Sequence, residues 1–287
     1  MNPEDITAFF ESRKHRVVKT ASCWWYNEYH QDRIYQSFPI HRLIDPGQEE
    51  IAELFRNARG ALGVRFIGPV KSRGQQSSIW VCRKPYDLSV LSAKSRNQTR
   101  RGLENCQVRK MSWKELETIA SEAHADTMKR HQLNGERSLG FGSYLKECPA
   151  YEAWGAFVGD DLAAFMVTLW VEDWVHILIQ RSVSSHLKSR PNNALVFCVA
   201  KELLSRPGVS AISYGLEPLT VLESLEDFKL GMGFVKEPVS QRIIVARWLK
   251  PLINSVTCRV VETAASWRPH NPRLQKVASI CRMVRES

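Results

Sequence analysis

The chain has 287 residues, of which 44% are hydrophobic and 24% are charged, which is ordinary usage for a globular protein with a substantial core. Its 7 cysteines are widely scattered and its 8 histidines show no metal-ligand spacing, so the sequence predicts free thiols and no metal site. The net charge of +10 favours polyanionic partners such as tRNA, a nucleotide cofactor or an anionic lipid surface.

The sequence contains no apolar run near the roughly 18 residues that can span a bilayer. The first residues, MNPEDITAFFESRKHR, are polar and begin with acids, so they resemble neither a secretory signal nor an Arg-rich transit peptide. We therefore expect a soluble, cytoplasmic protein.

The first third of the chain, residues 1–87, predicts a reduced α+β lobe. Asp45-Pro46-Gly47 forms a turn that starts a helix, because apolar residues then recur at helical spacing. Runs rich in β-branched and aromatic residues surround this helix and predict strands at 21–29, 33–44, 62–69 and 77–83.

Residues 88–103 predict a helix with a strongly basic side. That side carries Lys94, Arg96, Arg100 and Arg101. Such a cluster is either a solvated face or an anion-binding surface, and only Glu104 offsets it locally. Arg100 and Arg101 are accordingly candidate substrate-binding residues.

A strand at 107–111 precedes a third predicted helix. Ser112 and Glu115 have the spacing of a capping box, which begins a helix by satisfying its first amides. The stretch 133–150 then contains several glycines and predicts a loop that is well placed to cover a site.

Residues 151–183 predict a three-stranded antiparallel meander with turns at Gly159-Asp160-Asp161 and Glu172-Asp173. The middle run, 162–171, is apolar on both sides and should be buried on both faces. The third run alternates in part, and its polar side, which we expect to face a cleft, contains His176, Leu178, Gln180 and Ser182.

The meander leads into a loop at 184–191 and a helix at about 192–204. A strand, a polar loop and a helix N-terminus together favour anion binding, because first-turn amides lack intrahelical partners. The candidate cofactor-binding residues around this loop are Gln180, Arg181, Arg190, Asn192 and Asn193.

A strand at 209–216, a helix at 220–230 and a strand at 241–248 complete a domain at 88–250. Beyond it, residues 251–287 predict a basic helical tail. The predicted division is therefore 1–87, 88–250 and 251–287.

The order of elements from 107 to 249 resembles the GNAT acyltransferase fold, in the branch that contains the FemAB-like aminoacyltransferases. The resemblance rests on the basic 94–101 segment, on Trp154-Gly155-Ala156-Phe157, on Tyr214-Gly215, and on Leu225-Glu226-Asp227-Phe228-Lys229 with Gly233-Phe234. It implies an α+β, GNAT-like fold with a mixed central sheet flanked by helices. It also implies an N-acyltransferase that moves an acyl or aminoacyl group from acyl-CoA or aminoacyl-tRNA to an amine acceptor.

One departure from the family pattern concerns the donor. GNAT enzymes that use acetyl-CoA usually present a glycine-containing loop to the pyrophosphate, whereas residues 180–193 contain no glycine. Glycine lets backbone amides approach a phosphate closely, so its absence argues against ordinary CoA binding.

The resemblance also implies roles for individual residues. Phe228 and Lys229 match a pair that lines the donor cleft, where a lysine stabilises an oxyanion or binds phosphate; the alternative is a surface lysine beside a buried Phe228. Tyr214 is either a proton donor to the leaving group or a core tyrosine, and Glu217 is either a base or a helix-start residue. His176 is either a substrate contact or a structural histidine.

Two functional hypotheses remain open on the sequence. The first is direct acyl or aminoacyl transfer to an amine. The second is a non-catalytic GNAT-like module whose basic surfaces hold RNA or a protein partner.

Overall fold

The structure is a computed structural model that describes residues 1–27, 33–72, 74–130, 145, 147–217 and 223–268, with single positions beyond them. Those single positions are 271, 274, 277, 278, 280, 281 and 284. Most of the predicted covering loop at 133–150, the start of the predicted 220–230 helix and most of the tail beyond 268 lie outside the described residues.

Helices and strands alternate irregularly along the chain, as in an α+β protein. The helices are α1 Pro3–Ser12, α2 Gln48–Asn57, α3 Ala93–Asn105, α4 Trp113–Arg130, α5 Pro191–Ser205, α6 Glu223–Gly231 and α7 Ser255–Trp267. The strands are β1 Val17–Lys19, β2 Trp24–Asn27, β3 Ile34–Phe38, β4 Gly63–Gly68, β5 Gln75–Arg83, β6 Gln107–Met111, β7 Tyr151–Val158, β8 Asp161–Val171, β9 Trp174–Ser182, β10 Ala211–Leu216 and β11 Val235–Val245.

Two helix starts differ from the prediction. Helix α1 forms within the polar N-terminal stretch because Pro3, Ile6, Thr7 and Phe10 recur at helical spacing and are buried. Helix α3 begins at Ala93 rather than at 88, since the Ser92 hydroxyl accepts the Ser95 amide at 3.2 Å and caps it.

The chain forms two compact units, each assembled from separate stretches of sequence. The first unit comprises Met1–Asn2, Trp80–Gly215 and Leu222–Lys236, and the second comprises Pro3–Ile79, Leu216–Val221 and Glu237–Ser287. The boundaries predicted at 87 and 250 remain predictions.

The second unit is built on the strand order β1-β2-β3-β4-β11. The pairs β1–β2, β2–β3 and β4–β11 are antiparallel, and β3–β4 is parallel. Its core includes Trp25, Leu54 and Phe66, with the Trp25 and Phe66 rings packed edge to face. Helix α2 therefore buries its apolar stripe against this sheet.

A carboxylate near the start of α2 ties that helix to the turn before β2. Glu50 accepts hydrogen bonds from the Thr20 hydroxyl at 2.5 Å and from the Ser22 amide and hydroxyl, both at 2.8 Å. Desolvation by burial acts to raise the pKa of Glu50, but these hydrogen bonds outweigh it and hold the pKa below its ordinary value.

The first unit is built on the strand order β10-β9-β8-β7-β6, with the Trp80–Arg83 part of β5 next to β10. Strands β6 to β9 form an antiparallel meander, and β10 joins β9 in parallel. One face of the sheet packs on α5 and the other on α4. The predicted burial of the middle strand on both faces is confirmed, since residues 162–169 of β8 are all buried.

A β-bulge in β9 corrects the predicted facing of its side chains. Val167 pairs with Ile179 and Thr168 with Ile177, so Leu178 has no opposite residue. Ile177 consequently packs in the core on the α5 side and Ile179 in the core on the α4 side. The prediction that His176 and Gln180 share one side of the strand is therefore wrong, because the bulge lies between them.

Within the described residues, the helices are each too short or too polar to cross a membrane.

Candidate functional site

The first unit contains a wedge where β9 and β10 part. The two parallel strands pair at Trp174–His176 with Ala211–Ser213, and among the described residues the pairing ends there. Across the wedge the Tyr214 hydroxyl donates to the Gln180 side-chain oxygen at 2.6 Å. We take this wedge, with the side chains that line it, as the candidate site.

A buried lysine lies beside the wedge. Lys229, in the last turn of α6, is only 5% exposed. Its Nζ is 5.2 Å from the ring centroid of Trp80 and 5.2 Å from that of Tyr214. Two aromatic faces thus partly compensate the ammonium for lost hydration, each such contact contributing about 0.5–2 kcal/mol. The alternative of a surface lysine at this position is wrong.

A second lysine approaches the same indole from a more exposed position. The Nζ of Lys236 is 5.0 Å from the Trp80 ring centroid and donates to both carboxylate oxygens of Glu226, at 3.0 and 3.1 Å. Phe228 is half-buried against the α5-side core. The Trp80 indole N–H is buried and has no hydrogen-bond partner within the part of the chain that the structure describes.

A chain of hydrogen bonds holds the Gln180 side of the wedge. The Gln180 amide donates to the Asn192 oxygen at 3.0 Å, and the Asn192 amide donates to the Ser182 hydroxyl at 3.1 Å. Arg130, at the end of α4, also donates to the Ser182 hydroxyl at 2.9 Å. Because each amide uses both its oxygen and its nitrogen, the orientation of Gln180 toward Tyr214 is set by its partners.

Burial controls the ionisation of two of these groups. It raises the pKa of the Tyr214 phenol, so this group remains a proton donor at neutral pH. The Tyr214 ring also packs edge to face on Phe234, with ring centroids 4.7 Å apart. Burial lowers the pKa of Arg181, whose guanidinium donates to the Gln180 backbone carbonyl at 2.8 Å.

The connection from β9 to α5 contains no glycine and is compact. A 3₁₀ helix spans Ser184–Ser189, and Arg190 adopts the left-handed conformation with φ 59° and ψ 41° just before Pro191 begins α5. Arg190 takes there the backbone conformation that glycine adopts most readily.

Several backbone amides along this connection already have acceptors. The Ser184 amide donates to Asp126, the Arg190 amide donates to the Leu187 carbonyl, and the Asn193 amide donates to the Arg190 carbonyl. These amides are not available to receive a pyrophosphate. The Asn193 side chain is buried and its amide lies 3.4 Å from the Met232 sulfur.

Helix α3 packs closely against the start of α5. A Cβ added at Gly102 would lie 2.7 Å from the Arg190 carbonyl oxygen and 3.1 Å from the Ala194 Cβ. Arg100 and Arg101 are exposed on α3. Their assignment as substrate-binding residues stays a prediction.

Two predicted site residues have other surroundings within their own units. His176 is buried on the face of the sheet opposite to Gln180, where its ring stacks on the Trp174 ring with centroids 6.2 Å apart. Glu217 belongs to the second unit, where its amide donates to the Ser78 carbonyl at 2.8 Å. The structure therefore brings together Lys229, Tyr214, Gln180 and Asn192 but does not add His176 to them.

Sequence reasoning missed Trp80 and the support that Arg130 gives to Ser182. Trp80 lies within a run that predicts a strand, and nothing in its spacing distinguishes it from a core tryptophan. Among the described residues, no three His, Cys, Asp or Glu side chains are grouped to hold a metal ion.

Comparison with known proteins defines the fold. No protein-family model and no curated protein matches the chain. FemX matches with a TM-score of 0.57 at 9% identity, over 85% of this chain and 91% of that one. The C-terminal domain of a putative lysylphosphatidylglycerol synthetase from Agrobacterium fabrum matches with a TM-score of 0.54 at 13% identity, over 79% and 83%. L-PGS from Bacillus licheniformis matches with a TM-score of 0.53 at 16% identity, over 84% and 91%.

The chain therefore has an α+β, GNAT-like fold of the form found in FemX. The predicted fold class, with a mixed sheet flanked by helices, is confirmed, and the predicted resemblance to the FemAB-like branch is confirmed as a likeness of fold. At these identities the comparisons concern the fold alone.

Proposed function

We propose that this protein is an acyltransferase that moves an acyl or aminoacyl group directly to an amine acceptor, with Lys229 and Tyr214 in its site. The observation that carries the proposal is the buried Lys229 ammonium between the rings of Trp80 and Tyr214, beside the wedge of β9 and β10. Burying a charge is costly, and a fold that tolerates it next to a cleft is typical of a functional site.

The proposed reaction is a single displacement at the acyl carbonyl. The amine nitrogen attacks the carbonyl carbon, and the Lys229 ammonium stabilises the negative charge that develops on the carbonyl oxygen. The bond to the leaving oxygen or sulfur then breaks as the Tyr214 phenol protonates it. The proton lost by the amine restores the phenol, so protons and charge balance.

Gln180 is a positioning residue in this scheme. Its side-chain oxygen accepts from the Tyr214 hydroxyl at 2.6 Å, and its amide is held by Asn192. This arrangement aims the phenol and limits the positions that it can adopt.

For the donor, we propose aminoacyl-tRNA ahead of acyl-CoA. The turn before α5 has no glycine, has Arg190 in the left-handed conformation, and has several amides already engaged. These features leave little backbone for a CoA pyrophosphate. The exposed Arg100 and Arg101 of α3 are available to a polynucleotide phosphate backbone.

The test is a transfer assay with purified protein and three donors: acetyl-CoA, a longer acyl-CoA and aminoacyl-tRNA, with a panel of amines. Lys229→Met keeps the aliphatic stem and removes the charge. We expect it to lower kcat by about 10²–10³-fold, as loss of one oxyanion donor does. The matched control is Lys201→Met, an exposed lysine on α5.

The same assay distinguishes an acyltransferase from the alternative function, a non-catalytic binding module. If no donor supports transfer, and the parent and Lys229→Met proteins bind RNA equally in a salt-sensitive manner, the chain is a non-catalytic module that uses its basic surfaces. Equal transfer rates for the parent and Lys229→Met would show that the site is wrong. Thermal shift with each donor identifies which one binds the folded state.

A further inference from the structure

Helix α7 of the second unit carries an exposed apolar ridge. Val256, Val260 and Trp267 are 69%, 64% and 80% exposed. At about 100° per residue they lie within an arc of about 40° on one side of the helix. Cys258 and Ala265 lie on the opposite side and are buried, so the ridge is not the face that attaches α7 to its unit.

The residues around the ridge are basic. Arg259 lies beside it, Arg268 ends the helix, and Arg247 and Lys250 lie in the 3₁₀ helix that precedes it; all four are exposed. In residues 246–268 the sequence contains one acid, Glu262, which is half-buried and lies about 120° around the helix from Val256. The exposed side of α7 therefore combines an apolar ridge and cationic neighbours with the neutral hydroxyl residues Thr257, Thr263 and Ser266.

The preceding 3₁₀ helix, Arg247–Leu252, repeats this composition. Trp248 and Leu252 are exposed large hydrophobic residues spaced four apart. Exposed tryptophans at both Trp248 and Trp267 are unusual for a surface in water, because each leaves a large apolar area hydrated.

We propose that α7 and the 3₁₀ helix before it form a membrane-surface site that binds anionic phospholipid. Tryptophan prefers the headgroup level of a bilayer, and an apolar ridge bordered by arginine and lysine is the composition of a helix that lies in the interface. A convex ridge can lie in the plane of a bilayer. A protein that binds an amphipathic helix usually does so with a hydrophobic groove.

The basic residues around the ridge determine which lipids it should prefer. Cations near the ridge favour a leaflet that carries negative headgroups, and the contribution of each is screened by salt. The proposal does not depend on the transferase activity, because α7 shares no residue with the candidate site.

The test is co-sedimentation of the full chain with vesicles of phosphatidylcholine alone and of phosphatidylcholine containing phosphatidylglycerol. We expect binding to the anionic vesicles that weakens as salt rises. The double variant Val260→Ser/Trp267→Ser should bind the anionic vesicles at least about tenfold more weakly than the parent. Leu43→Ser, which changes an exposed leucine elsewhere in the second unit, is the matched control and should bind like the parent.

A second measurement locates the contact. Lipids brominated in their acyl chains should quench part of the parent's tryptophan fluorescence, and Trp267→Phe should lose the share of that quenching that Trp267 contributes, while Trp248 stays quenched and the variant still sediments with the vesicles. Equal binding by the parent and the double variant would overturn the proposal. Absence of vesicle binding, with a dimer in solution that the double variant disrupts, would also overturn it and assign the ridge to a second copy of the chain.

Discussion

Replacing Gly102 with alanine tests the packing that holds α3 against the start of α5. In an exposed helix, glycine to alanine stabilises by about 0.5–1 kcal/mol, because alanine loses less conformational freedom on folding. At Gly102 the added Cβ would lie 2.7 Å from the Arg190 carbonyl oxygen and 3.2 Å from the Ala194 amide nitrogen. Both are backbone atoms, so the clash cannot be relieved by a side-chain rotation.

We therefore expect Gly102→Ala to destabilise the protein, whereas helix propensity alone would predict that it stabilises it. Overpacking of this kind costs about 1–3 kcal/mol, and the propensity gain offsets up to about 1 kcal/mol of it. We expect Gly102→Ala to lower the free energy of unfolding by about 1–2 kcal/mol. Urea unfolding at pH 7 measures this change, and hydrogen exchange shows whether the amides of α3 and α5 lose protection together.

The control is Asn97→Ala, which changes an exposed residue of the same helix. It should stabilise by a few tenths of a kcal/mol, about the difference in helix propensity. If Gly102→Ala stabilises the protein as Asn97→Ala does, then α3 does not pack on the Arg190 carbonyl as described.

Two further substitutions, one in each unit, test the contribution of hydrogen bonds to stability. Tyr214→Phe removes the donor to Gln180 and should lower the free energy of unfolding by about 1–2 kcal/mol, while Tyr214→Phe in a Gln180→Leu background should cost less; equal costs in both backgrounds would mean that the two groups are not coupled. Glu50→Gln should reduce the amount by which the free energy of unfolding falls at acid pH. Because the folded pKa of Glu50 lies below its ordinary value of 4.5, its contribution is complete above that pH and is lost as pH falls through the lowered pKa. Urea unfolding from pH 7 to 3 measures this, with Glu49→Gln as the exposed control; parallel curves for the parent and Glu50→Gln would contradict the assignment.

The sequence predicted the order of the elements well because each carries a local signal. The meander is an example, since its turns have Gly and Asp and its strands are rich in β-branched and aromatic residues. The burial of β8 on both faces also followed from its composition, because a run that is apolar on both sides requires cover on both sides.

The facing of β9 could not be predicted from its alternation. A period of two assumes an unbroken ladder, and the bulge at Leu178 shifts every later side chain to the other face. The bulge depends on how β9 pairs with β8, which is a property of the two strands together. For this reason the sequence placed His176 with Gln180, and the structure separates them.

For the candidate site, the sequence predicted individual residues, and only the structure shows which side chains surround them. The resemblance to the GNAT fold pointed to Lys229 and Tyr214 as candidate residues for acyl transfer, and the missing glycine before α5 was visible directly in the sequence. The burial of Lys229, its position between the Tyr214 and Trp80 rings, and the support of Gln180 by Asn192 required the tertiary structure. Local propensities and turn chemistry act between neighbours in the chain, whereas such contacts join residues that only the folded sheet and helices bring together.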